Sequence, residues 1–346
     1  MLQTFRNPQF ENAIKRVPQK VPPIWFMRQA GRYHSHYRKL KETYTFMQLC
    51  KEPELAAEVA LGPIKEFGFD VSILFSDLLF PLEALGMGLD YNPGPKLSFS
   101  IQSKDTLKNL RPIDEAITFL NFQKDALIRT REVLPKNVSL IGFVGGPFTL
   151  MTYACIGKHD GNSQFIKNNP DFVTSFYKIL VPLLTRNIEL QLNGGAEIVM
   201  IFDTSAGCLD PILFNEYVVT PIEVLANCFP KKLGYYTKNS TWDQMQKIAK
   251  IESLAGFGLD HRFTLSSILK DNQFPGFIQG NFDQELLFAE ESILRKKIKK
   301  YVEPVLELNP EERLGWVSGL GHGVLQFTPE KSVHILIEEI RNGFSK

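Results

Sequence analysis

Pro23-Ile24-Trp25-Phe26-Met27-Arg28-Gln29-Ala30-Gly31-Arg32-Tyr33 is an apolar, strand-like run that ends in two arginines four residues apart. A short run that is apolar on both faces suits a parallel strand covered on both sides. Arginine is costly to bury without a partner, so its place directly behind such a strand needs a reason. Two guanidinium forks on one turn can bind a ligand rich in carboxylate or phosphate. They can equally close two structural salt bridges, and the stretch alone does not choose between these readings.

The rest of the chain sets bounds. Of its 346 residues 44% are hydrophobic, enough for a large core. Net charge is +1 with no basic block, which argues against a nucleic-acid partner, so any anion site must be built locally. Cys50, Cys155, Cys208 and Cys228 form no CxxC pair and have no metal-ligand spacing with histidine. They read as reduced, mostly buried thiols of a cytoplasmic protein. Met1 to Asn7 has no apolar core of a secretory signal, and no run approaches the ~18 apolar residues of a membrane span. Without a Gly/Ser linker, residues 1–346 are expected to form a single domain.

Working outward from Ile24 to Met27, seven further apolar runs follow. They are Phe69 to Phe75, Val138 to Val144, Glu197 to Phe202, Leu233 to Tyr236, Gly256 to Leu259, Gly276 to Gln279 and Gly315 to Ser318. Helical patterns lie between them. Pro53-Glu54-Leu55 opens one that Gly68 ends, and Ser175 to Leu192 is long and amphipathic before Asn193-Gly194-Gly195. Thr328-Pro329-Glu330 has the form of an N-cap and first turn, with Val333, Leu336, Ile337 and Ile340 on one face and His334 off it, in solvent. Strand followed by helix about eight times predicts an α/β fold, a (β/α)8 TIM barrel, with a doubly wound open sheet as the competitor. The pattern is least clear from Lys231 to Asp271. A long insert, Pro81 to Lys104, contains Asn92-Pro93-Gly94-Pro95, and inserts of this length in compact domains are often functional.

Barrel active sites lie at the carboxyl ends of the strands. There the sequence places Arg28 and Arg32, then Ser76-Asp77, Gly145 to Tyr153, Phe202-Asp203-Thr204, Gly280-Asn281 and Gly319-Leu320-Gly321-His322-Gly323. Each has a bland alternative. Asp77, Asp203 and Thr204 can cap helices. Tyr153 can be a core residue with its hydroxyl tied to backbone. His322 between glycines is harder to dismiss, because glycines allow close approach of a ligand. His34 and His36 sit in a polar stretch and are expected to be exposed, and His159 reads as loop. No phosphate loop, dinucleotide fingerprint, HExxH or GxSxG is present. Arginines, one carboxylate, hydroxyls and one histidine suit binding and protonating a polyanion.

At this point Met27-Arg28-Gln29-Ala30-Gly31-Arg32-Tyr33 resembles the signature of the uroporphyrinogen decarboxylase family. Ile73 to Asp77 with Ala84 to Met87, Gly142 to Tyr153, Phe202 to Leu209, Gln279 to Asp283 and Gly319 to Gly323 resemble further blocks of that family, in order, over nearly the whole chain. The resemblance implies a cytoplasmic homodimeric barrel enzyme with no metal and no cofactor. It would convert uroporphyrinogen to coproporphyrinogen by turning four acetate side chains into methyl groups. It implies Arg28, Asp77 and Tyr153 as catalytic groups. Arg28 and Arg32 would hold substrate carboxylates, Asp77 the pyrrole N–H groups, Tyr153 and Thr204 the reacting acetate, and His322 another carboxylate. Arg38 matches a further basic position. The general acid stays open between an arginine-bound water and the substrate's own carboxyl group.

The sequence departs from the family pattern in three places. His34-Ser35-His36-Tyr37-Arg38 replaces a stretch that usually reads Leu-Pro-Glu-Tyr-Arg, Thr204 stands where many members have serine, and Asp260-His261-Arg262 replaces a stretch that often carries tryptophan. Two other readings compete. A zinc methyltransferase on the same barrel would need a His-x-Cys arrangement that His322-Gly323-Val324 does not supply. A tetrapyrrole-binding protein without catalysis would need the arginines but not Asp77 and Tyr153.

Overall fold

A computed structural model describes residues 5–91, 94–158, 162–271 and 274–345. Asn92, Pro93 and His159, which the sequence reading placed in loops, lie outside the described residues. Seven parallel strands run in chain order around one sheet: β1 Val71–Ile73, β2 Ser139–Gly145, β3 Val199–Phe202, β4 Leu233–Tyr236, β5 Gly256–Gly258, β6 Phe277–Phe282 and β7 Trp316–Leu320. Apart from Ile73 their residues are buried, which is why they read as continuous apolar runs rather than alternating ones.

The eighth position belongs to the opening stretch. Ile24 makes a single parallel bridge to Ser318 of β7. Ser318 N–H donates to the Pro23 carbonyl at 2.9 Å, and Asp70 N–H, just before β1, donates to the Ile24 carbonyl at 3.0 Å. The segment thus sits between the first and last strands and closes the barrel. The expected strand Ile24 to Met27 is reduced to this bridge, for a local reason. The buried Gln29 amide accepts from Phe26 N–H at 3.1 Å and donates to the Val71 carbonyl at 3.0 Å. A side chain does there what a ladder of main-chain bonds would have done.

Helices cover the outside of the sheet. Pro53–Phe67 ends at Gly68 in the left-handed region (φ 65°), as the sequence predicts. Pro170–Asn193 is the longest. Glu330–Ser345 buries Val333, Leu336, Ile337 and Ile340, but the expected Thr328 cap is not made, its buried hydroxyl having no partner among the described residues. In the stretch the sequence left unclear, Trp242–Ala249 is a helix with a capping box from Thr241 and Gln244, and Leu265–Asp271 is another.

His334 is exposed and pairs with Glu66 at 3.0 Å. His34 corrects the expectation of exposure. It is 2% exposed, its ring packed on Phe67 at 5.2 Å and on Tyr33 at 5.9 Å. The polar stretch folds back against a helix of the outer layer, which a local reading of polarity cannot show. His36 is half-buried beside Glu58.

Candidate active site

The carboxyl ends of the strands surround an open-mouthed cavity of about 180 Å³. Its walls include Phe143, Phe202 and Tyr236, and its polar groups are Arg28, Ser76, Asp77, Thr204 and His322. Arg28 reaches it from an unusual backbone. Its φ is 60°, in the left-handed region that a side-chain-bearing residue enters only at a cost of order 1 kcal/mol. Gly31, three residues on, has no such angle, so the turn's strain is carried by the arginine itself. Gly323 makes room for it: a Cβ there would stand about 2.5 Å from Arg28 Cδ.

Asp77 follows β1 and accepts Leu79 N–H at 2.9 Å. Burial pushes its pKa up, and the Leu79 N–H, the Tyr91 hydroxyl and Arg28 each oppose this. Tyr91 lies close enough to act electrostatically but outside hydrogen-bond geometry. It comes from the long insert, whose hairpin pairs Asp90–Tyr91 with Pro95–Lys96. The insert therefore bears on the site.

Asp203, at the end of β3, is fully buried. Its Oδ1 accepts both the N–H and the hydroxyl of Thr149 at 2.7 Å, capping the helix Pro147–Ile156 that follows β2. The sequence suggested a cap near Asp203; the structure puts it on a helix from another barrel unit. Oδ2 has no partner among the described residues, and burial raises the pKa to about 6.

Comparison with known proteins places this arrangement. The sequence model described as "Uroporphyrinogen decarboxylase (URO-D)" matches residues 5–343. The chain belongs to the uroporphyrinogen decarboxylase family. A protein named uroporphyrinogen decarboxylase from Dechloromonas aromatica is 33% identical over 97% of each chain. One of the same name from Rickettsia bellii is 34% identical over 95% of this chain and 96% of its own. Among solved structures a methyltransferase from Methanosarcina mazei superposes with a TM-score of 0.76 over 99% of both chains, at 16% identity. That likeness establishes the barrel and nothing of the chemistry.

Of the residues that the decarboxylase resemblance singled out, Arg28, Asp77, Thr204 and His322 line one cavity. Arg32 lines a separate outer cleft with Tyr37, Arg38, Lys41 and Glu330. Tyr153, on the helix Pro147–Ile156, is half-buried against the core and is not among the cavity's lining residues. Arg38 serves the local backbone: its guanidinium donates to the carbonyls of Tyr33 and Arg32 and pairs loosely with Glu330 at 3.9 Å. Arg28 and Arg32 have no carboxylate within 4.0 Å among the described residues, so the salt-bridge reading of the opening stretch finds no partner there. No group of three or more His, Cys, Asp or Glu placed to hold a metal occurs among the described residues. Tyr236 and Tyr91 were missed. As the last residue of an apolar run Tyr236 looks like core, yet at the carboxyl end of its strand it lines the cavity.

Proposed function

We propose that the chain removes CO2 from the four acetate side chains of uroporphyrinogen III. The products are coproporphyrinogen III and four CO2, in porphyrin and haem biosynthesis. Family membership over residues 5–343 supports the reading, together with a cation, a desolvated carboxylate, a hydroxyl and a histidine around one aromatic-walled cavity.

The chemistry needs an electron sink. Protonating a pyrrole α-carbon makes the ring an iminium-like cation. The acetate's C–C bond then breaks, its electrons enter the ring and CO2 leaves. The exocyclic methylene carbon takes up a proton and the α-carbon gives one back, so each CO2 released consumes one proton. The substrate supplies its own sink, and the protein's part is to orient and to stabilise charge.

Asp77 accepts the pyrrole N–H groups. Its ionised form is partly withdrawn from water on the cavity wall, so it gains when the ring becomes cationic. Arg28 holds a substrate carboxylate beside the reacting acetate, with Thr204 and Tyr153 at the acetate and Arg32 and His322 on outer carboxylates. The whole chain, 1–346, acts as one barrel domain, as a cytoplasmic homodimer; sedimentation showing only monomer at micromolar concentration would contradict the last point. Anaerobic incubation of the purified protein with uroporphyrinogen III, without added cofactor, should give the heptacarboxylate-to-coproporphyrinogen series by chromatography. If no such series appears, the activity is not this one.

A further inference from the structure

We infer that Tyr236 is a positioning residue that fixes the tautomer of His322, an assignment that rests on the substrate-binding role proposed for His322. The Tyr236 hydroxyl donates to the Gly321 carbonyl at 2.7 Å and lies 3.1 Å from His322 Nδ1. The two rings are stacked, with 14° between planes and 5.9 Å between centroids. A phenol has one proton. At 2.7 Å from a carbonyl oxygen that proton must lie between the two oxygens, since two lone pairs would otherwise face each other. The hydroxyl can then meet Nδ1 only as an acceptor, and Nδ1 carries the hydrogen.

The acceptor is held firmly. Gly321 N–H donates to the Phe282 carbonyl at 2.7 Å, and a Cβ on Gly321 would run into the His261 backbone, so the turn after β7 is pinned between its neighbours. Tyr236 is buried at the end of β4 and cannot swing away.

The consequence is chemical. In the neutral ring Nε2 carries the lone pair, so a proton taken up by the ring goes to Nε2. The bond from Nδ1 to Tyr236 is kept in both charge states, and the resulting imidazolium presents Nε2–H as a charge-assisted donor to a carboxylate. Tyr236 thus decides which ring nitrogen of His322 carries the hydrogen in the neutral ring and which one takes an added proton.

The test is a long-range proton–nitrogen correlation spectrum of protein labelled in its histidine rings, with His322 assigned by His322→Gln. At a pH where the ring is neutral, the parent protein should show Nδ1 protonated and Nε2 bare. In Tyr236→Phe the signal should move towards the opposite tautomer while the other five histidines stay put. KM for uroporphyrinogen should rise about fivefold, the scale of one hydrogen bond, with kcat moving less. A parent ring protonated at Nε2 would overturn the inference whether or not the variant folds. So would an unchanged tautomer or an unchanged KM in Tyr236→Phe. Because the spectrum is read on resting protein, absence of turnover in the parent would sink the decarboxylase reading and leave the tautomer result standing.

Discussion

Replacing Asp203 by asparagine should alter stability in a way that depends on pH, and the amount follows from the site. Burial lifts this carboxyl from 3.8 to about 6 in the folded protein. The folded state therefore holds a proton that the unfolded chain has already released between those values. Stability from this group is fully present below pH 3.8 and is lost as pH rises through about 6. At 1.36 kcal/mol per pH unit the loss reaches about 3 kcal/mol near pH 8, and is about 1 kcal/mol near pH 4.5. Asparagine keeps an oxygen for Thr149 and removes the charge. It also places an amide where Oδ2 has no partner, a penalty of about 1–3 kcal/mol that does not vary with pH. The pH-dependent part is thus isolated in a difference: relative to the parent, Asp203→Asn should be about 2 kcal/mol better off near pH 8 than near pH 4.5. Urea titrations of both proteins at the two pH values measure it. A stability difference that does not change with pH would show that Asp203 is ionised as readily folded as unfolded, and would refute the reasoning.

Three more outcomes are expected. Asp77→Asn should lower kcat by about 10²–10³, with a smaller loss of substrate binding. Because burial raises the Asp77 pKa, the acid limb of the parent's pH–rate profile should sit above the ordinary carboxylate range and vanish in the variant; steady-state assays across pH check both points. Arg28→Ala should cripple turnover with little change in stability, and Arg28→Gly should gain about 1 kcal/mol in urea melts by relaxing the left-handed backbone while turning over no better; a large loss of stability in Arg28→Ala would instead make the arginine a structural ion-pair partner. Gly323→Ala should push the Arg28 stem aside and raise KM severalfold, measured against a melting curve that stays close to the parent's.

Much of the barrel could be read from apolar runs because parallel strands covered on both faces leave that mark. Leu233–Tyr236 is found where the sequence puts it. Positions just after strands were legible for the same reason, since fold geometry sends them all to one mouth; Asp77, Thr204 and His322 meet there across 245 residues of chain between the first and last. What escaped depends on contacts between distant segments. His34 is polar locally but buried by Phe67, Asp203 caps a helix 54 residues upstream, and Tyr236 is matched to His322 across 86. The opening strand was over-read because nothing in its hydropathy says that Gln29 will take over its ladder.

That glutamine gives the barrel a joint of a different kind. Elsewhere neighbouring strands are fastened by repeated main-chain bonds, so no one residue decides whether they stay together. Between Ile24 and β1 the fastening is one main-chain bond from Asp70, its carboxylate on Ile24 N–H at 2.8 Å, and the Gln29 amide one residue from Arg28. Arg28, which lines the cavity, is thus the chain neighbour of the residue whose amide fastens the seam. Loss of that one amide should therefore loosen the cylinder at this seam more than loss of any one residue would between two of the seven strands.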